Sequence, residues 1–200
     1  MTISEDPQSW KGDLRKRLHA QRNALALEDR ERYSEAIIGS ILALEAYRRA
    51  RTVMGYMTFG SELMTGAFAD DALRAGKILV LPLMRRAENR LGLYRARDLS
   101  ADLAPGPWGI RQPRPDICEP ANLSDVDFVL VPGLGFNARG DRLGYGRGYY
   151  DRLLAGRRPD TALVAGAFHL QMVDRIPVEE HDVRLDRVVT ERTMFVRDGR

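Results

Sequence analysis

Two hundred residues, 44% hydrophobic and 30% charged, can bury one sizeable core, and a single domain spanning residues 1–200 is expected. The net charge is only +3, because 31 basic side chains are interleaved with 28 acidic ones; despite a pI near 9.2 the charge case for a polyanion groove is weak, and nucleic acid is not an expected partner. The lone Cys118 excludes an internal disulfide and has no CxxC partner for zinc, which points to a reducing cytoplasm. Charged residues between Glu5 and Arg17 break up any early apolar block, so no secretory leader is expected. The longest largely apolar stretch, Phe128 to Phe136, falls well short of the roughly 20 residues that cross a bilayer.

In chain order, apolar side chains recur at helical spacing from Trp10 to Leu27, on Leu14, Leu18 and Leu25, and again from about Glu31 to Ala50. Two amphipathic helices therefore open the chain. Short apolar runs follow at Thr52 to Met57, Ile78 to Leu81, Leu91 to Tyr94 and Phe128 to Val131, with a helical segment from about Thr65 to Ala75. Pro105 to Pro120 holds five prolines and no clear period, and reads as an extended surface connection. A short helix from about Gly148 to Leu154 and strands near Ala162 to Ala167 and Arg187 to Val189 complete the pattern. The alternation implies an α/β domain of three layers, α/β/α, around a mainly parallel, open, Rossmann-like sheet.

Between a buried-looking strand and a helix start lie seventeen residues, Pro132 to Gly148, six of them glycine. In open α/β sheets ligands bind at the carboxyl ends of strands, and glycines there let backbone N–H groups approach a phosphate. Arg142 and Arg147 could add charge-assisted donors to the same anion. No Gly-Lys-Ser/Thr follows, and Gly144, Gly146 and Gly148 are spaced GxGxG, so this is neither a P-loop nor a dinucleotide fingerprint. A flexible surface loop is the alternative. The histidines His19, His169 and His181 stand at no recognised spacing from a serine or cysteine nucleophile and are not expected to be catalytic.

Val131-Pro-Gly-Leu-Gly-Phe-Asn137, followed by Gly140-Asp-Arg-Leu-Gly-Tyr-Gly-Arg-Gly-Tyr-Tyr-Asp-Arg-Leu-Leu154, resembles the signature of the 5-formyltetrahydrofolate cyclo-ligase family. The likeness continues through Lys11 and Arg15, Tyr56 to Thr65 with Glu62-Leu-Met-Thr, Gly76-Lys77 leading to Pro82, Trp108 to Pro113, and Pro177-Val-Glu-Glu-His-Asp182 with Leu185-Asp186, about Lys11 to Glu191 in all. Small departures are Gly135 where alanine is common, Asn137 where aspartate is, and Gln112 where glutamate is frequent. The resemblance implies an ATP-dependent ligase that converts 5-formyltetrahydrofolate to 5,10-methenyltetrahydrofolate, through phosphorylation of the formyl oxygen and ring closure by N10.

By the same resemblance, ATP would be held by Lys11, Arg15 and the run Arg142, Leu143, Gly144, Tyr145, Gly146, Arg147, Gly148, Tyr149 and Tyr150. Arg147, Tyr149 and Asp151 would be catalytic, and Mg²⁺ would sit on Asp151 and Asp182. Folate would meet Glu62, Met57, Tyr145 and Tyr149, with Phe59 adding apolar surface. Each residue has a plainer possibility: a solvated basic helix face for Lys11 and Arg15, a helix N-cap for Asp151, a loop-capping aspartate for Asp182, core packing for Met57, and a helix anchor for Tyr149 or Tyr150. The expected partners are the two small-molecule substrates of a monomeric enzyme. A non-catalytic nucleotide- or RNA-binding relative of the same fold, and an ATP-using enzyme for another formylated or pterin-like substrate, are the competing readings.

Overall fold

The computed structural model describes residues 7–179 and 182–197, so His181, beside the expected acidic group Asp182, lies outside the described residues. Helix α1 (Pro7–Asn23) opens the chain, then α2 (Leu27–Leu42) and α3 (Glu45–Arg49). The single second helix expected over 31–50 is therefore two, because Leu44 is extended at ψ 135. That break lets the Tyr47 ring turn inward, 5.3 Å from Phe68 and 5.6 Å from Phe128, with its hydroxyl donating to Asp71.

Strands β1 (Thr52–Met54), β2 (Ile78–Arg85), β3 (Arg90–Ala96), β6 (Phe128–Leu130), β9 (Ala162–Gly166), β10 (Arg187–Val189) and β11 (Met194–Val196) form one seven-stranded sheet in the order β11-β10-β9-β6-β1-β2-β3. The five inner strands run parallel and the two edges antiparallel. Both faces are covered, so successive side chains alternate between two apolar layers rather than between core and water. Val53, Leu79, Leu81, Phe128, Leu130 and Val164 pack under α2, α3 and α4 (Gly66–Arg74). Met54, Val80, Val129, Leu163 and Ala165 face the other way, under α5 (Tyr149–Leu154) and irregular chain. The three layers are present, the second helical one thin.

Two expectations shift. The strand expected over 52–57 ends at Met54, and the chain beyond it leaves the sheet, carrying Tyr56 and Met57 out past the strand's carboxyl end. The proline-rich 105–120 region is no mere connection: β4 (Leu103–Pro105) and β5 (Arg111–Pro113) pair as an antiparallel hairpin, and Ala121 N–H donates to Leu93 of β3. The glycine segment holds its own hairpin, β7 (Gly135–Phe136) with β8 (Arg142–Leu143). Helix α1 packs Leu14 and Leu18 against Leu143 and Ile176, which docks it beside that hairpin. A Cβ on Gly135 would lie 2.5 Å from Leu18, so the departure from alanine here makes room for α1. Asn137, 2% exposed, donates to Asp141 Oδ2 (2.9 Å) while its own oxygen accepts from the N–H groups of Arg139 and Asp141, a bond to a carboxylate that an aspartate could not donate. Among the described residues, no helix is long and apolar enough to cross a membrane.

Candidate active site

Strands β1 and β6 deliver Tyr56 and Pro132 from their carboxyl ends, and β2 delivers Pro82 from beyond its pairing with β1, into one cleft of about 900 Å³. That size suits a small-molecule site, and the position is where open α/β sheets bind ligands. Every site residue expected from the sequence lines it: Lys11 and Arg15 from α1, Met57, Phe59 and Glu62 after β1, the run Arg142 to Asp151, and Asp182. These residues lie up to 171 positions apart in sequence (11 to 182) and meet because α1 docks on the glycine hairpin.

The loop's shape comes from glycines lying beneath arginines. Gly146 has φ 87, and a Cβ there would lie 3.3 Å from the Arg15 guanidinium, whose Nε donates to the Gly144 carbonyl at 2.9 Å. Arg15 thus both fixes the loop and presents charge along it. Arg147 stands exposed at the rim.

Arg142 is differently placed from the free anion donor the sequence suggests. Its side chain is 4% exposed, with Nη1 donating to Pro132 O at 3.3 Å and Nη2 ion-paired with Asp151 Oδ1; its Nε is buried without a partner. Its guanidinium lies 6.0 Å from the centre of the Tyr150 ring. Asp151 is not the cap of α5, since that position belongs to Gly148; it sits in the first turn with one oxygen on Arg142. Tyr150 packs into the core, and burial pushes its phenol well above the usual range. Tyr149 is half-buried, with the Arg152 guanidinium 5.4 Å from its ring centre.

Lys11 is 6% exposed and holds the far wall, with Nζ 2.7 Å from Glu179 and 3.5 Å from Asp182. Asp182 also accepts from the Glu179 N–H at 2.8 Å, which ties it to its own loop. Among the described residues there is no group of three or more acids, histidines or cysteines able to hold a metal. The donor set fits only an ion that brings most of its own ligands. Mg²⁺ is such an ion, usually held by one or two carboxylates together with phosphate oxygens and water.

Glu62 is 8% exposed, accepting from the Phe59 N–H at 3.0 Å and from the Tyr145 hydroxyl. Burial pushes its carboxyl above the ordinary range, while Tyr145, the Arg22 charge and the Phe59 N–H pull it partly back. Arg22, Glu179 and Tyr56 escaped the sequence reading. Arg22 alone carried a usable signal, since on one helix it continues the line of Lys11 and Arg15, seven residues further on.

The sequence matches the 5-formyltetrahydrofolate cyclo-ligase family over residues 7–191. It is 32% identical over 200 residues to the 5-formyltetrahydrofolate cyclo-ligase of Mus musculus, covering 96% of each chain. It is also 32% identical over 188 residues to that of Mycolicibacterium smegmatis, covering 93% of this chain and 96% of the relative. The fold is similar to the NMR structure of Aquifex aeolicus 5,10-methenyltetrahydrofolate synthetase, with a TM-score of 0.83 at 35% identity over 95% of this chain and 94% of that one. A Mycoplasma pneumoniae 5,10-methenyltetrahydrofolate synthetase, at 21% identity and a TM-score of 0.73 over 90% of this chain and 98% of that one, shares the fold. The chain belongs to the 5-formyltetrahydrofolate cyclo-ligase family.

Proposed function

We propose that this cleft carries out the reaction for which the family is named, the ATP-dependent closure of 5-formyltetrahydrofolate to 5,10-methenyltetrahydrofolate, with ADP and phosphate as the other products. The formyl oxygen attacks the γ-phosphorus and ADP leaves; N10 then adds to the activated carbon, loses its proton, and phosphate departs with the former formyl oxygen. Phosphoryl transfer of this kind asks a protein for alignment, charge neutralisation and exclusion of water rather than for covalent chemistry. One observation supports the reading above the rest: the cationic groups of Lys11 and Arg15, the glycine loop and the buried carboxylate of Glu62 share a single cavity.

Lys11 and Arg15 hold the phosphates together with the backbone of 143–148, and Arg147 reaches in from the rim to meet charge on the transferred group. Arg142, fixed between Pro132 and Asp151, aims the Asp151 carboxylate into the cleft. Mg²⁺ bound to the nucleotide would neutralise phosphate charge, with Asp151 as its carboxylate ligand and Asp182 as a second on the Lys11 side. Glu62 accepts hydrogen bonds from the aminopyrimidine of the pterin and sets its orientation, Met57 and Tyr145 supply apolar wall, and Tyr149 closes over the reacting atoms. The same reading makes the protein a monomer of the cytoplasm acting on small molecules, with neither membrane nor nucleic acid as partner.

Mixing the protein with MgATP and 5-formyltetrahydrofolate tests this in one cuvette. The methenyl chromophore is expected to appear in step with ADP; ADP release with no chromophore, or neither product, contradicts it.

A further inference from the structure

Arg22 is a charged side chain in the core of a molecule whose other arginines are mostly at the surface, and it touches neither the phosphate loop's backbone nor any acid of the cleft wall in an ion pair. It is 2% exposed. Its Nε donates to Ser61 Oγ at 3.0 Å and its Nη1 to the Tyr145 hydroxyl at 3.1 Å, with the guanidinium 5.9 Å from the Tyr145 ring centre. Ser61 passes its own proton to Asn23 Oδ1, so it is free to accept from Arg22. The Tyr145 phenol in turn donates to Glu62 Oε1. A cation, a hydroxyl and a carboxylate therefore stand in a chain, each bond polarising the next.

Burying an arginine costs several kcal/mol unless its donors are used. Here they are used on the residue that precedes Glu62 and on the side chain that bonds it. We propose that Arg22 is a positioning residue for the folate site: acting through Tyr145, it holds the Glu62 carboxylate ionised and fixed in orientation. The proposal rests on Glu62 being the folate carboxylate. A pterin offers paired N–H donors, and only an ionised carboxylate accepts from both without turning a proton toward them. The groups facing Glu62 are the Phe59 N–H from its own turn, Tyr145 from the glycine loop, Tyr150 from α5, Tyr56 after β1 and Arg22 from α1. Arg22 is the cation acting on Glu62 in that set, and without it only the Tyr145 and Phe59 hydrogen bonds offset the burial that drives the carboxyl toward its neutral form. Arg15, seven residues earlier on α1, grips Gly144 independently, so the phosphate loop keeps its own anchor when Arg22 is lost.

The experiment is steady-state kinetics with each substrate varied, on Arg22→Met, Arg22→Lys and Tyr145→Phe. Arg22→Met is expected to raise KM for 5-formyltetrahydrofolate about tenfold while KM for ATP stays within about twofold. The acidic limb of kcat/KM for the folate should move to higher pH, and Arg22→Lys, which keeps the charge, should return most of that movement. In a Tyr145→Phe background the same substitution should cost less than it does alone. Parallel rises in both KM values, an unmoved acidic limb, or full additivity with Tyr145→Phe overturns the proposal. Should Arg22→Met fail to fold, Arg22→Gln decides, since it removes the charge and keeps an N–H donor for Ser61 or Tyr145: a raised folate KM and shifted limb support the proposal, and an unchanged folate KM overturns it. Glu62→Gln, run alongside, separates the two levels. An unchanged folate KM there removes the folate assignment of Glu62 and this proposal with it, whereas a raised one beside a normal Arg22→Met removes this proposal alone.

Discussion

Lys11 Nζ lies 2.7 Å from Glu179 Oε1 and 3.5 Å from Asp182 Oδ2, so two carboxylates already hold the ammonium assigned to the nucleotide phosphates. With its side chain only 8% exposed, Lys11 cannot turn to a phosphate unless Glu179 yields or shares it. Glu179→Gln is therefore expected to lower KM for ATP by about two- to fivefold, the carboxylate no longer competing. Lys11→Met should raise it by about tenfold or more. An ATP titration of each variant at fixed folate decides, and an unchanged KM for ATP in Lys11→Met would place the phosphates elsewhere.

Asp151 is expected to matter for turnover far more than for folding. In Asp151→Asn the amide oxygen can still accept from Arg142, so the loss of stability should stay within about 2 kcal/mol. The carboxylate that would face Mg²⁺ and the phosphates is gone, and kcat should fall by about a hundredfold or more. Thermal melts and initial rates on one preparation give both numbers. A normal kcat contradicts the assigned role.

The pH dependence of stability has a definite sign at Glu62. Burial raises its carboxyl in the folded protein, and the Tyr145, Arg22 and Phe59 contacts offset that only in part. A carboxyl raised by folding adds stability that is fully present below its unfolded pKa and is lost as pH rises through the folded value. An ionised Glu62 in this buried setting therefore comes at a cost in stability. Glu62→Gln, in which Arg22 keeps its bonds to Ser61 and Tyr145, should be at least as stable as wild type at neutral pH, with the difference closing in acid below the ordinary glutamate range. Folate binding should weaken in the same variant. Denaturant melts at the two pH values test the sign.

Gly140 joins the β7–β8 hairpin to the chain leading into β10. It holds φ 81, its carbonyl accepts from Leu185 N–H at 2.8 Å, and an added Cβ would strike the Leu185 carbonyl oxygen. Gly140→Ala is expected to cost about 3 kcal/mol or more, strain and backbone clash together. Gly60, at φ 57 with open space around it, is the comparison, and there alanine should cost about 1 kcal/mol. Chemical denaturation of both variants checks the contrast.

The inner strands were legible because burial on both faces leaves short continuous apolar runs, such as Phe128 to Val131, that stand apart from the helical stretches. The edge strand β11 was not, since a three-residue strand with Met194 and Val196 exposed leaves no apolar run. The β4–β5 hairpin hid among prolines that read as coil. At the site, the glycine segment announced itself through composition and a long family signature, and all the residues drawn from it line the cleft. Glu179 stayed hidden because its partner Lys11 lies 168 positions away, and for Arg22 the helical line from Lys11 and Arg15 gives its face but not its partner Tyr145, 123 positions on. The surroundings of Arg142 were hidden for a related reason: its burial and its bond to Asp151 are tertiary facts, which a count of arginines near glycines does not carry.

The central claim is that the loop between Pro132 and Asp151 directs the terminal phosphate of ATP onto the formyl oxygen of a folate seated at Glu62. Its most direct test is turnover of 5-formyltetrahydrofolate carrying ¹⁸O in the formyl group, with the released phosphate analysed by mass spectrometry. The account predicts that the label leaves in inorganic phosphate, one atom for each methenyl product formed. Phosphate that is unlabelled in this experiment, and that takes up ¹⁸O from labelled water instead, would contradict it.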